Sequence, residues 1–410
     1  MRVLLINKFH YLKGGSERVY FDTKKVLEQN GHEVVCFSMN DERNLPSAQA
    51  EYFVDNVDFG ASGDWWNKVK RYFYYPEAAR KLEQLIVKEK PDVAHLHNIY
   101  HQLTPSILKP LRKHNIPVVM TLHDYQLICP NYQLFRRGRV CEHCQKHKYY
   151  HCLLHRCVQN SFLASALAGL ELFFNWVFSF YVRGVDLFVS PSDFLKEKFV
   201  NWGVKKRIEV INNFVDLEKF QANFSVGAYL VCVGRLSREK GIMTLLRAIR
   251  KLPQIRLKLV GDGPMKEIIK NYISKKQVRN VEFVGKKSGA ELFDLIRGSS
   301  FVVVPSEWYE NYPMVVLEAM ALGKPVLASN LGGLKEMVEE NKTGWFFEAG
   351  NIKDLRLKIK NHFNDIETIE RLGRNARQAV EQKNCSKVYY EKLIGCYNTV
   401  LPEEKKIGLG

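Results

Sequence analysis

The sequence predicts an α/β protein of two Rossmann-like domains facing across a cleft. Three observations carry that prediction. Strand and helix signals alternate from end to end, the pattern of parallel sheets covered on both faces. A chain of 410 residues is too long for one ordinary core. The alternation also starts afresh near Tyr229, after a polar connector.

The first series opens with a strand from Val3 to Asn7, a glycine turn at Gly14-Gly15-Ser16-Glu17 and a helix running towards Asn30. Gly31 to Phe37, Pro91 to His97 and Pro117 to His123 read as further strands, and Val185 to Ser192 closes the sheet. Ile208 to Asp216 reads as the connector. The second series runs through Tyr229 to Gly234, Leu257 to Gly261, Val281 to Gly285, Phe301 to Pro305 and Pro325 to Ala328. The expected boundaries are residues 1–207, 208–385 and a C-terminal helix and tail, 386–410, that packs back on the first domain.

A composition 46% hydrophobic and 26% charged describes a globular chain with no disordered tract. The net charge of +17 calls for an anionic partner, and +6 of it falls in residues 1–200. With no long Lys/Arg run and no nucleic-acid motif, diphosphate ligands and an anionic membrane surface fit that charge better than nucleic acid. The N-terminus reads as a first strand, since it lacks the apolar stretch and cleavage site of a signal peptide. Nine cysteines without an export signal point to a reducing, cytoplasmic setting.

The sharpest signal is Glu310 and Glu318, with seven residues between them, where an apolar strand empties through a loop into an apolar helix. In open α/β sheets ligands bind at such strand ends, and paired carboxylates accept hydrogen bonds from sugar or ribose hydroxyls. Arg235 and Lys240 follow another strand end with four residues between them, so both can aim at one anion. Solvated surface charge is the plain alternative for either. Gly14 and Gly15 let backbone approach a phosphate at a helix N-terminus, against the alternative of a glycine turn capped by Ser16. His123 ends a strand, where a packed or surface histidine is the more ordinary reading.

Together these residues resemble the retaining nucleotide-sugar glycosyltransferases of family 4, of GT-B fold. The resemblance runs nearly end to end. It rests on Gly14-Gly15-Ser16-Glu17, Gly31-His32-Glu33-Val34, Thr121-Leu122-His123-Asp124, Val233-Gly234-Arg235-Leu236 through Lys240-Gly241, and Gly261-Asp262-Gly263-Pro264. Its most specific part is Leu317-Glu318-Ala319-Met320-Ala321-Leu322-Gly323-Lys324-Pro325 after Glu310. It implies an acceptor-side first domain and a nucleotide-sugar-binding second domain. His123, Glu310, Arg235 and Lys240 would be the catalytic residues, with the two cations on the leaving diphosphate and His123 positioning the donor. Gly14, Gly15, Gly263, Val284, Asn311, Met314, Val315 and Glu318 would hold the donor, Glu318 through its ribose. No D-x-D sequence occurs, in keeping with a transfer step that requires no metal. Glycines usual after the first glutamate are replaced by Asn311-Tyr312-Pro313, which leaves the sugar open, and Phe214 stands in the connector where glycine is common.

Cys129, Cys141, Cys144, Cys152 and Cys157 crowd one segment with His143, His147, His151 and His155 among them. The Cys-x2-Cys spacing suits a structural zinc, with free thiols as the alternative. Trp65 to Tyr75 mixes aromatic and basic residues as interfacial helices do. Phe162 to Val182 is more apolar, but Glu171 and Asn175 interrupt it, so membrane contact or burial suits it better than spanning.

The expected function is sugar transfer from a UDP- or GDP-sugar to a glycan or polyprenyl-diphosphate-linked acceptor in cell-envelope polysaccharide synthesis, by an enzyme peripheral on the inner face of the plasma membrane. A sugar-nucleotide epimerase and a non-catalytic zinc-knuckle scaffold are the alternatives.

Overall fold

The computed structural model describes residues 1–56 and 71–408. It divides into two compact units: Met1–Gln133 with Glu142–Ile211 and Tyr389–Gly410, and Leu134–Cys141 with Asn212–Val388.

The first unit is built on a parallel sheet of six strands, β1 (Arg2–Ile6), β2 (Glu33–Phe37), β3 (Val93–Leu96), β4 (Val118–Thr121), β5 (Leu187–Ser190) and β6 (Ile208–Val210), in the order β6-β5-β4-β3-β1-β2. β3, β4 and β5 are buried throughout, so their largely apolar character reflects cover on both faces. β2 lies on one side of β1 and the remaining strands on the other, so the chain reverses direction across the sheet between β1 and β3. Loops leaving the two strands at such a switch point part from one another and open a crevice. Ile6 is in register with Leu96 there, and His97 donates its backbone N–H to the Ile6 carbonyl at 2.8 Å. Helix α1 (Gly15–Gln29) follows β1.

One expectation is corrected here. Ile208 to Val210 is not connector but the sixth strand, paired in parallel with Phe188 to Ser190. Four residues between Lys205-Lys206-Arg207 and Asn212-Asn213 carry too little periodicity to show a strand, and pairing with a buried neighbour supplies what local pattern lacks.

Helix α2 (Phe162–Phe178) reverses the usual division of faces. Ser165, Ala168, Glu171 and Leu172 are its buried residues, at helical spacing, and Glu171 meets the His101 imidazole at 3.2 Å. Phe162, Leu163, Phe173, Trp176, Val177 and Phe178 are exposed. Ser179, with φ of 53°, ends the helix before a second short one, Phe180–Gly184. Among the described residues no helix is long and apolar enough to cross a membrane. Of the aromatic–basic stretch at Trp65 to Tyr75, Trp65 to Lys70 lie outside the described residues; within the remainder, the Arg71 guanidinium lies over the Tyr75 ring at 4.0 Å.

The second unit repeats the principle with β7 (Tyr229–Val233), β8 (Arg256–Val260), β9 (Val281–Gly285), β10 (Val302–Val304), β11 (Val326–Ser329) and β12 (Gly344–Phe347), all parallel, ordered β9-β8-β7-β10-β11-β12. Val302 and Val304 join one apolar cluster while Phe301 and Val303 join another, so alternate side chains feed cores on the two faces. β12 extends the five strands expected from sequence. The switch point lies between β7 and β10, and helix α3 (Met314–Ala321) follows β10.

Candidate active site

In the second unit the switch point gathers most of the expected donor residues. The loop after β7, Gly234-Arg235-Leu236, lies against the loop after β8. A Cβ on Gly261 would stand 1.9 Å from the Gly234 carbonyl oxygen, and one on Gly263 would stand 2.6 Å from the Leu236 carbonyl oxygen. Only glycine permits that approach. Arg235 is exposed on this loop. Lys240 ends a short 3-10 turn, and Gly241, with φ of +65°, carries the chain back against β10: a Cβ there would meet the Pro305 carbonyl oxygen at 1.8 Å. This tight passage sets Lys240 beside Glu310. Its Nζ donates to Glu310 Oε1 at 2.6 Å and lies 5.2 Å from the Trp308 ring centroid.

Glu310 is buried, with 4% exposure, and its carboxyl also accepts a hydrogen bond from Ser306 Oγ at 2.5 Å. Burial alone would raise its pKa, but the Lys240 charge and the hydrogen bonds from Lys240 and Ser306 outweigh that and hold it below the ordinary carboxylate value. The acid is therefore ionised and aimed. Its backbone is fixed from behind: Gly333 donates its N–H to the Glu310 carbonyl at 2.7 Å, and a Cβ on Gly333 would fall 1.8 Å from the Asn311 carbonyl oxygen.

Pro313 precedes α3 and no side chain caps the helix, so the amides of Met314 and Val315 sit at an N-terminus suited to an anion. Glu318 is buried one turn further on, and Val284 is half-buried on β9. A cavity of about 510 Å³ elsewhere on this unit is lined by Arg137, Arg238, Gly241, Thr244, Arg247 and Glu307 among others; none of the expected donor residues lines it.

The first unit holds His123, Gly14 and Gly15. His123 Nε2 lies 2.8 Å from His97 Nδ1, and the rings stack with centroids 5.1 Å apart. His97 in turn stacks on His95 at 4.5 Å. His95 Nδ1 meets the Tyr397 hydroxyl and Nε2 the Thr121 hydroxyl, both at 2.7 Å. Burial pushes His95 down to about 3 and His123 down to about 4, with neighbouring positive charge contributing, so the column is neutral at physiological pH. His97 and His95 are partners that sequence reasoning missed. The signal was present as His95-Leu96-His97, two histidines on one strand face, but which neighbouring strand they met depends on register. Gly14 is the N-cap of α1, exposed, and the nearest atom a Cβ there would meet is Glu17 Oε2 at 3.6 Å. Local packing does not require glycine at that position.

Cys129, Cys144, Cys152 and Cys157 belong to the first unit and Cys141 to the second, on a short antiparallel hairpin segment. The Cys152 thiol is pushed up by its hydrogen bond with Cys157, by burial, and by Cys144 and Cys129. Among the described residues, the group of potential ligand atoms that all lie within 4.8 Å of one another consists of His143, His151 and His155.

Family models match the chain twice: glycosyltransferase family 4 over residues 13–219, and glycosyl transferases group 1 over residues 216–379. An uncharacterized glycosyltransferase of Methanocaldococcus jannaschii is 32% identical over 206 residues, 50% of this chain and 57% of that protein. The capsular polysaccharide biosynthesis glycosyltransferase CapM of Staphylococcus aureus is 28% identical over 53% of this chain and 62% of its own. The chain thus spans little more than half the length of those relatives. Sucrose-phosphate synthase of Thermosynechococcus elongatus shares the fold with a TM-score of 0.73 at 20% identity, covering 97% of this chain and 98% of that one. Anabaena HepE, solved in complex with UDP and glucose, does so at 0.70 and 18%, covering 97% and 100%. Two parallel-sheet Rossmann-like units of GT-B type and a family match over half its length settle the relationship: the chain belongs to glycosyltransferase family 4.

Proposed function

We propose that the protein is a retaining glycosyltransferase that moves a sugar from a UDP- or GDP-sugar to a glycan or lipid-linked acceptor in cell-envelope polysaccharide synthesis. The observation that carries this reading is the ionised Glu310 held by Lys240 and Ser306 at the β7/β10 switch point, beside the uncapped N-terminus of α3. A buried carboxylate there accepts hydrogen bonds from sugar hydroxyls, and the amides of Met314 and Val315 receive a diphosphate. Arg235 supplies an exposed guanidinium to the same anion. In the transfer the anomeric carbon–oxygen bond to the diphosphate breaks and a bond to the acceptor hydroxyl oxygen forms on the same face. The acceptor proton passes to the departing diphosphate. Lys240 and Arg235 neutralise the charge that grows on that leaving group, so the step requires no metal. His123, kept neutral by burial and fixed through His97, positions the donor.

The UDP and glucose bound to Anabaena HepE support UDP as one donor nucleotide, and the capsular role of the staphylococcal relative supports an envelope glycan as product. The net charge of +17 and the outward aromatic face of α2 support peripheral attachment to an anionic membrane on the cytoplasmic side, next to a lipid-linked acceptor. Thermal-shift screening of UDP- and GDP-sugars identifies the donor, and release of free UDP or GDP is then measured with and without acceptor glycan. Release that depends on acceptor is the expected result. Interconversion of the nucleotide sugar without release would mark an epimerase, and no stabilisation by any nucleotide sugar would reject the donor site.

A further inference from the structure

We infer that His143, His151 and His155 form a binding site for a borderline divalent transition ion of the zinc class, which staples the segment between them. One ligand nitrogen from each lies within 4.8 Å of the other two. His151 and His155 are four residues apart on the short helix Tyr150–Leu154 and its C-cap, so they rise from one face and their rings stack at 5.9 Å and 11°. His143 closes the set from the preceding loop, its ring 5.6 and 5.7 Å from the others and inclined to both. Two nitrogens on a tetrahedral zinc ion sit about 3.3 Å apart, given Zn–N bonds of about 2.0–2.1 Å. The nitrogens, within 4.8 Å of one another, therefore stand at most about 1.5 Å from that spacing.

The donor set decides the class of ion. Three imidazoles with no carboxylate suit zinc, copper, nickel or cobalt and give little to magnesium or calcium. Three protein ligands leave a fourth position for water, and exposed His143 gives the ion a path in.

A second observation explains why a staple belongs here. The buried apolar cluster under this segment consists of Cys144, Tyr149, Cys152 and Leu172. Yet the segment holds Lys146, His147 and Arg156 at positive φ of 58°, 61° and 48°, each a strained choice for a non-glycine residue. So small a core does little to fix such a path, and short structures in this position use metals or cross-links. The chain also sorts its donors: Cys144 and Cys152 are buried while their neighbours His143 and His151 turn towards solvent. The proposed site thus draws on the imidazoles, with the buried thiols as the competing donors that the test separates.

The test uses the full-length protein stripped with chelator and titrated with zinc chloride by calorimetry and with cobalt(II) by absorbance. One ion per chain is expected, with a rise in melting temperature. His143→Gln, an exposed change that leaves the fold in place, and the His151→Ala/His155→Ala double variant should each raise Kd by at least about 100-fold, the upper end of what loss of an outer-shell partner costs. The cobalt spectrum should lack thiolate-to-metal charge transfer. Absence of stoichiometric binding would overturn the inference. So would binding that survives the histidine changes, or a thiolate band abolished by Cys144→Ser and Cys152→Ser, which would put the ion on the cysteines.

Discussion

Lys240 and Glu310 are joined by a 2.6 Å ion pair across 70 positions of sequence, and each holds the other in place. Glu310 is ionised because Lys240 is beside it, and Lys240 is held at the strand end because Glu310 is buried there. The side chains retain 25% and 6% exposure. Lys240→Ala therefore affects folding as well as chemistry, whatever is bound. It should lower stability by about 2–4 kcal/mol, at or just under the range for stranding a charge from a buried pair. Lys240→Met/Glu310→Gln should regain most of that loss while transfer stays abolished. Urea denaturation of the two single variants and the double variant checks the coupling; additive losses would show that the pair is not coupled.

Arg235 offers the contrasting case, since it is exposed and its loss strands no buried charge. Arg235→Ala should lower kcat by roughly 100-fold or more, the scale for removing one stabiliser of developing charge, with the melting temperature unchanged. Near-normal turnover would remove this residue from the leaving-group role.

Acid should unfold the first unit through its histidine column. His95 and His123, at about 3 and about 4, lie below their ordinary value of 6.5, so the unfolded chain binds the protons more tightly. Stability is then full above 6.5 and falls as pH drops towards 4, by about 1.4 kcal/mol per pH unit for each histidine. His123→Asn should flatten the slope by about one proton between pH 6 and 5. Equal slopes for variant and wild type would show that His123 titrates normally in the fold.

Two glycines separate structural from ligand constraints. Gly241→Ala places a methyl group 1.8 Å from the Pro305 carbonyl oxygen at φ of +65° and should cost about 1–3 kcal/mol or more. Gly14→Ala meets nothing nearer than 3.6 Å, so stability should hold while UDP or GDP affinity falls about tenfold, or ~1.4 kcal/mol. Calorimetric titration of the nucleotide checks the second; unchanged affinity would leave the turn after β1 without a phosphate to cradle.

Val177→Glu/Phe178→Glu changes two outward residues of α2 and should reduce cosedimentation with anionic vesicles without lowering the melting temperature. Vesicle binding equal to wild type would take this face out of membrane attachment.

Much of this architecture was legible in sequence because parallel strands buried on both faces leave long apolar runs. Phe301 to Pro305 and Val118 to Thr121 are plain examples, and the spacing of Glu310 and Glu318 marked the strand end where Glu310 meets Lys240. What escaped depends on contacts between distant segments. The β6 strand of Ile208–Val210 exists through pairing with β5, and His97 matters through β3–β4 register. The pairing of Lys240 with Glu310 likewise follows from how closely Gly241 lets two loops pass. The thiols and imidazoles of residues 129–157 could be read as metal-binding chemistry, but not sorted into inward and outward sets, because their spacing is the same for both.

Because the inward side of α2 is Ser165, Ala168, Glu171 and Leu172, its outermost residues Val177 and Phe178 carry little of the packing that keeps the chain folded. Under the proposed membrane attachment, where the protein goes and whether it holds its shape would be written on opposite halves of one helix. Under that attachment its cellular address could drift, or be rewritten by design, while the catalyst stays intact.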